Sequence, residues 1–329
     1  MPALDVASNL VKTKARELGF DLVGIAPASP SRFGDYWRQW LADGKAGEMN
    51  YLAERLEERL DPSRYLEGAR SAVCVAVNYH VPLSDAPPTE PGVIPGRIAR
   101  YALPDDYHDW IKHKLYDLAD WLRDTFPGSQ TRCGVDTAPI PERELAARAG
   151  IGWVGKNTCI IHDRVGSWLF LGTVLTTLDL APDEPTQDRC GSCTRCLDAC
   201  PTHALRPDQP YQLDASRCIS YLTIERLDPS PPADSDLSRQ IGDWLYGCDI
   251  CQDVCPWNNP GPNRSPLTVA IHSRLQPRRP SRTVDAKQVL DWTDQQWWDF
   301  SRRTVIRRLS LPLFQRNDRV VVANAEAAK

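Results

Sequence analysis

Eight of the chain's eleven cysteines fall between Cys190 and Cys255, in spacings that can hold inorganic clusters. The first run reads Cys190-x-x-Cys193-x-x-Cys196-x-x-x-Cys200-Pro201. In that spacing three thiolates grip one [4Fe–4S] cube, and the fourth, before proline, reaches a second. The second run, Cys248-x-x-Cys251-x-x-x-Cys255-Pro256, lacks a leading cysteine, and Cys218 is the donor left over. Crossed ligation then assigns Cys190, Cys193, Cys196 and Cys255 to cluster one, and Cys200, Cys218, Cys248 and Cys251 to cluster two. Structural zinc also uses paired C-x-x-C, but three cysteines at this tight spacing, followed by x3-Cys-Pro, favour the cubes. Cys74 lies in an apolar run and reads as packing; Cys133 and Cys159 are given no ligand or redox role. Two cubes conduct electrons, and the residues before about 181 must house the acceptor.

The elements around this module are those of an ordinary folded protein. The chain has 329 residues, 42% hydrophobic and 25% charged, which excludes disordered and collagen-like classes. Its longest apolar runs fall far short of the ~20 residues of a membrane-spanning helix. The N-terminus carries Lys12, Lys14 and Arg16 without an apolar secretory core. A cytoplasmic protein without disulfides or membrane contact, and a monomer, is expected. The net charge of −4 is uneven: residues 261–320 hold 12 Lys/Arg against 5 Asp/Glu, so a basic tail follows an acidic body. That balance allows local contact with a polyanion, for which Arg302, Arg303, Arg307, Arg308 and Arg316 are candidates against the plainer reading of a solvated helix face.

Periodicity predicts a helix over residues 4–19, strands at Phe20–Ala26 and Ala69–Asn78, and a helical stretch over Tyr36–Leu60 between them. The proline-rich stretch Val81–Gly96 predicts a loop. Helices are expected over Tyr107–Thr125 and Pro141–Ala149, then a hairpin of Thr158–His162 with Ser167–Thr177. Helical stretches between Ser301 and Ala325 should break at Pro312. The fold class is α+β: residues 1–180 a mixed-sheet domain, 181–260 a bacterial-ferredoxin-like two-cluster domain, and 261–329 a short basic helical region. No G-x-G-x-x-G opens a helix after a strand and no Walker motif occurs, so nucleotide binding has no support.

Several blocks carry a resemblance. Arg97-Ile-Ala-Arg-Tyr-Ala102 with Asp106-Tyr-His108, Asp136-Thr-Ala-Pro-Ile-Pro-Glu-Arg143 and Ala149-Gly-Ile-Gly-Trp-Val-Gly-Lys-Asn-Thr158 resemble epoxyqueuosine reductase. So do Gly166-Ser-Trp-Leu-Phe-Leu-Gly172, Cys218-Ile-Ser-Tyr-Leu-Thr-Ile-Glu225 and Tyr246-Gly-Cys-Asp-Ile-Cys-Gln252. The resemblance implies a cobalamin-dependent oxidoreductase that removes the epoxide oxygen of epoxyqueuosine in the tRNA anticodon loop, with the first domain binding cobalamin. It implies electrons arriving from a low-potential donor protein at cluster two and passing to cluster one, nearer the corrin.

The same resemblance implies roles for single residues. Asp136 is the proton donor, which near neutral pH calls for a pKa raised by burial; a helix N-cap is the plainer reading. Asp106, Tyr107 and His108 line the substrate pocket, or act as a helix start, and Arg143 binds the nucleotide or holds Asp136. Arg59, Ser220 and Asp249 face the cofactor. The glycine-punctuated run 150–157, with Lys156 and Asn157, suits the phosphate-bearing cobalamin tail, a tight turn being the alternative. Pro104-Asp-Asp-Tyr-His108 replaces the family's Gly-x-Asp-Tyr-His, Thr173 stands where an acidic residue is common, and the helical-repeat extension of longer members is reduced to one basic segment. A reductive dehalogenase-like enzyme acting on a small molecule and a ferredoxin-type carrier are the other classes; the first typically has an export signal, and the second needs no Asp136 cluster.

Overall fold

The computed structural model describes residues 2–81, 92–259 and 272–328; most of the predicted proline-rich loop lies outside them. Among the described residues nine strands form three sheets: β1 (Leu22–Pro27), β2 (Ser71–Asn78), β3 (Pro95–Ile98), β4 (Thr131–Gly134), β5 (Trp153–Val154), β6 (Ile160–Ile161), β7 (Leu169–Thr176), β8 (Trp244–Tyr246) and β9 (Thr283–Asp285). The main sheet runs β1-β2-β7-β4 and is antiparallel throughout.

The alternation of β2 explains how it is covered on both faces. Val73, Val75 and Val77 join a core with Ile111, Leu115, Leu118 and Leu122 of the helix Tyr107–Thr125. Ala72, Cys74 and Ala76 face Leu145, Ala146 and Ala149 around the helix Glu142–Arg148. On that second face Gly24 is required, since a Cβ there would sit 2.0 Å from the Ala149 carbonyl oxygen. Small residues on this face let the Glu142–Arg148 helix approach closely, and that helix carries site residues.

Mixed pairing occurs in a smaller sheet, β8-β3-β9, with β3 parallel to β8 and antiparallel to β9. Its strands come one each from residues 1–180, 181–260 and 261–329, so the three segments are tied together. The C-terminal helix Leu311–Ala327 reinforces the tie. Its Arg316 is buried and donates to the carbonyls of Leu222, Arg226 and Asp228, and Asn317 donates to those of Thr223 and Leu245.

Four expectations are corrected. The stretch Tyr36–Leu60 is three helices, Gly34–Ala42, Tyr51–Glu54 and Leu56–Leu60, because Gly44 and Gly47 turn the chain with φ of 70° and 59°. The predicted hairpin does not form: β6 pairs with β5, β7 lies between β2 and β4, and the His162–Gly166 bridge closes the turn before Ser167. Pro312 opens the last helix rather than breaking it, since a first-turn residue needs no N–H. Arg316 is no surface cation, because its guanidinium is consumed by backbone carbonyls.

Candidate active site

Short turns carry the cysteines, and the fold sorts them into two hollows. Cys190, Cys193, Cys196 and Cys255 line a cavity of about 240 Å³ whose rim holds Lys156, Arg189, Arg195 and Trp257. Cys200, Cys218, Cys248 and Cys251 line another of about 320 Å³. Among the described residues no three Cys, His, Asp or Glu side chains converge as the ligands of one ion would. Thiols spaced around a hollow suit a multi-iron cube better than a mononuclear zinc site. The Lys156 ammonium donates to the carbonyls of Gly191 (2.7 Å) and Cys193 (3.0 Å), and the Trp153 indole donates to Cys190 Sγ at 3.4 Å. These contacts hold the first cysteine loop against the β5–β6 hairpin.

The second hollow reaches inward to Tyr79, Arg143, Thr158, Leu169 and Leu171. The first lies under a loop whose Gly191, Ser192, Thr194 and Arg195 are exposed. The four thiolates expected to form cluster two are therefore the ones beside Arg143. The expectation put cluster one nearer the corrin; the shared hollow sets the cluster-two thiols, not those of cluster one, beside Arg143.

Next to that inner hollow three elements converge. Asp106 caps the helix Tyr107–Thr125, its carboxylate accepting from the His108 backbone N–H at 3.0 Å and lying 2.8 Å from Nδ1. His108 Nε2 lies 3.1 Å from Asp136 Oδ2. Asp136 sits just after β4 with φ +49°, a conformation costly for a non-glycine residue, and its N–H donates to Glu142 Oε1 at 2.9 Å. The cap reading therefore holds for Asp106 and fails for Asp136, since Pro141 flanks the next helix. The Asp136 side chain is 57% accessible, facing open space rather than core.

Protons in this cluster are arranged differently from the expectation. Partial desolvation in the cleft lifts the Asp136 carboxyl, but the hydrogen bond and charge of His108, with the charges of Arg143 and Arg308, outweigh it and hold the group below its usual value. Burial depresses His108, yet Asp106 and Asp136 together lift it to about 9. Glu142 is pushed up to about 8 by burial and then by the Asp136 charge. Near neutral pH the protons rest on His108 and Glu142, and Asp136 is the carboxylate they flank.

The remaining candidates divide. Arg143 Nη1 donates to the Thr158 carbonyl (2.9 Å) and hydroxyl (3.3 Å) and lines the inner hollow, as does Ser220. Tyr107 is buried, stacked between His108 and Phe170 at centroid distances of 4.1 and 3.9 Å. Arg59 is buried above the Trp37 ring, and its Nε has no hydrogen-bond partner. Lys156 is a clamp on the cysteine loop, and Asn157, whose Oδ1 accepts the Cys159 N–H, borders both hollows. Neither offers the phosphate cradle expected of the 150–157 run. Asp249 is buried, and its carboxylate accepts the Arg100 N–H (2.8 Å) and pairs with Arg282 (3.2 Å), tying the turn after β3 to the C-terminal region.

Sequence reasoning missed Glu142, although it lies inside a quoted block; an acid in the first turn of a helix is too ordinary to stand out. It missed Cys159, which lines the inner hollow with Cys251. It weighed Arg308 equally as a phosphate contact and as part of a solvated helix face; Arg308 pairs with Glu225 at 2.6 Å and its charge reaches Asp136.

Comparison with known proteins agrees with this layout. Residues 59–137 match the family model described as "Epoxyqueuosine reductase QueG, DUF1730", and residues 189–258 match that of a "4Fe-4S double cluster binding domain". The epoxyqueuosine reductase of Gloeobacter violaceus is 39% identical over 315 residues, spanning 94% of this chain and 93% of the relative. The chain belongs to the epoxyqueuosine reductase family. The epoxyqueuosine reductase of Synechococcus sp. (strain CC9605) is 37% identical, over 94% of this chain and 92% of its own. The epoxyqueuosine reductase from Bacillus subtilis, solved with its catalytic aspartate loop swung out of the active site, superposes with a TM-score of 0.85 at 30% identity, covering 98% of this chain and 82% of that one. An epoxyqueuosine reductase crystallised with an epoxyqueuosine-modified tRNA-Tyr stem loop gives a TM-score of 0.84 at 31% identity, covering 97% and 81%. Like other epoxyqueuosine reductases, the chain is an oxidoreductase with an α+β body, a double-cluster segment and a helical C-terminus. Among the described residues no helix is long and apolar enough to cross a membrane.

Proposed function

We propose that this chain reduces epoxyqueuosine in the anticodon loop of tRNA to queuosine. The observation carrying this reading is the meeting of His108, Asp136 and Glu142 beside the inner thiol-lined hollow. The reaction breaks both C–O bonds of the epoxide and forms a C=C bond. It consumes two electrons and two protons and releases water, so electron supply and proton supply must meet at one place.

Cobalamin is the electron acceptor implied by the family, and the residues fit it. Arg59 offers a buried Nε without a partner, and the inner hollow mixes apolar Leu169 and Leu171 with Ser220 and Arg143. Arg59, Arg143, Leu169 and Leu171 would contact it beside the inner cube rather than in its place, and when bound it would supply a low-valent metal centre that delivers electrons to carbon. Eight cysteines hold the two cubes, with electrons passing from the outer hollow to the inner one.

The chain's own residues manage the protons. Asp136 delivers one to the departing oxygen, and His108, shared between Asp106 and Asp136, resupplies it. Glu142 holds the Asp136 backbone N–H and fixes the loop. Substrate in the open space over Asp136 would exclude water and favour the protonated carboxyl.

The tRNA reading is supported by the family member crystallised with a modified stem loop. In this chain the Arg303 carbonyl accepts the Asp106 N–H at 2.7 Å, and Arg307 stacks 3.9 Å above the exposed ring of Trp298. A basic, aromatic segment beside the cleft suits an RNA loop whose base must be turned inward.

The test is single-turnover reduction of epoxyqueuosine tRNA by Asp136→Asn protein, pre-reduced and cobalamin-loaded. Cofactor content and tRNA affinity should stay near wild type while the rate falls by ~10²–10⁴. A wild-type rate removes Asp136 from the chemistry.

A further inference from the structure

We propose that the mouth of the outer hollow, with Arg189 and Arg195 at its rim, is the docking face for a small acidic protein that delivers one electron at a time. The inference rests on the two-cube reading above and adds where electrons enter and from what kind of partner.

Two features select this face. The first is access. The loop over the outer hollow exposes Gly191, Ser192, Thr194 and Arg195, whereas the inner hollow is lined by Arg143, Leu169 and Leu171, on the side proposed for the substrate. A carrier on the outer loop approaches the first cube closely, and the second cube lies between that entry point and Asp136.

The second is charge. Lys156, Arg189 and Arg195 are the charged residues lining the mouth. Asp163 pairs with Arg189 at 3.1 Å, Asp188 accepts from the Cys190 N–H and the Tyr211 hydroxyl, and Asp198 accepts the Thr194 hydroxyl at 2.7 Å; bonds from neutral donors cancel no charge, so the attraction rests on Arg195 and Lys156, which line the mouth itself. The Lys156 ammonium is fixed on the loop carbonyls beside the cysteines. The chain as a whole carries −4, so an acidic partner gains nothing from its net field and must be held by local cations within a Debye length of ~8 Å. Pro256 and Trp257 supply an apolar patch at the same mouth.

Each encounter transfers one electron from the reduced carrier to the outer cube, oxidising the carrier. The electron moves to the inner cube, and two encounters supply the pair that one epoxide consumes.

The experiment pairs two reductants on cluster-loaded protein. Binding of a reduced acidic [2Fe–2S] ferredoxin is measured by anaerobic calorimetry, and cube reduction by stopped-flow absorbance, with dithionite as the reductant that needs no docking face. Arg189→Glu/Arg195→Glu should weaken ferredoxin binding and raise its half-saturating concentration by about tenfold or more, steeply dependent on salt. Iron content and dithionite-driven reduction should not change. Arg189→Lys/Arg195→Lys should restore most of the affinity. Because Arg189 is paired with Asp163, Arg195→Ser alone is the second probe, expected to act in the same direction with iron content intact. A control, Arg302→Glu/Arg307→Glu, should weaken tRNA binding and leave ferredoxin binding alone. Wild-type ferredoxin affinity in the charge-reversed and Arg195→Ser proteins, or loss in the control instead, overturns the proposal. Failure of the dithionite-driven wild-type enzyme on tRNA would sink the functional reading above while leaving the docking measurement standing.

Discussion

The backbone N–H of Asp136 donates to the Glu142 carboxyl at 2.9 Å, across a six-residue turn that holds Asp136 in a left-handed conformation. One acid thus fixes the backbone of another, and the second group's protonation decides whether two negative charges meet there. Glu142 is pushed up to about 8.

The pH profile follows with a definite sign. Glu142 is neutral below about 8 and becomes an anion beside the Asp136 carboxylate above it, so single-turnover reduction should fall as pH rises through that range. Glu142→Gln keeps an acceptor for the Asp136 N–H and cannot ionise; it should keep near-wild-type rates at pH 7 and move the alkaline fall up from about 8 towards about 9, where His108 loses its proton. Glu142→Ala removes the acceptor and should lower the rate at every pH. If Gln and Ala behave alike, Glu142 does not position the loop through that bond.

Asp318 gives a stability prediction. It is fully buried in the last helix, neither carboxyl oxygen has a hydrogen-bond partner, and burial, then the Asp285 charge, lifts it to about 8. A carboxyl raised on folding favours the neutral form, so the fold loses stability as pH rises from the unfolded value near 4 to about 8. Asp249, lifted to about 7 chiefly by burial, adds to the same slope. Asp318→Asn should flatten the decline and raise Tm at pH 8 by roughly 2–4 °C per kcal/mol recovered. Unchanged thermal melts from pH 5 to 8 in both proteins would refute it.

The hollows predict which iron is lost. Cys218→Ala should lose the inner cube preferentially, and Cys193→Ala the outer, read as iron falling from eight towards four atoms per chain. Cys159→Ala, beside Cys251 but outside the assigned ligands, should keep full iron; a loss equal to that of Cys218→Ala would make Cys159 a ligand.

For tRNA, Arg307→Ala should reduce the slope of log K against log salt by about 0.7–0.9, the contribution of one phosphate. Arg316→Ala should lower Tm and leave that slope unchanged, because its guanidinium is spent on three carbonyls inside the fold. A flattened slope for Arg316→Ala would mean that it faces RNA after all.

Much of this molecule is legible in its order of residues where the determining interactions are local. The helix Tyr107–Thr125 appears with its predicted bounds because its apolar face repeats at helical spacing and Asp106 caps it. The cysteine spacing points to two cubes, since x2 and x3 spacings are short local turns, while Cys218 and Cys255 reach their hollows only through the tertiary fold. The family blocks place Asp106, His108 and Asp136 in one chemistry. The rest depends on contacts between residues far apart in the chain. The place of β7 between β2 and β4 is a choice among apolar strands that periodicity treats alike. Which hollow faces the cleft follows from how the crossed module docks on β5 and β6. Arg308 and Arg316 look alike in a basic run, yet one pairs with Glu225 and the other is sealed on backbone carbonyls. The protons moved furthest from expectation: Asp136 stays low and Glu142 high, because a pKa is set by neighbouring charges and burial, and only the tertiary fold brings His108 within 3.1 Å of Asp136.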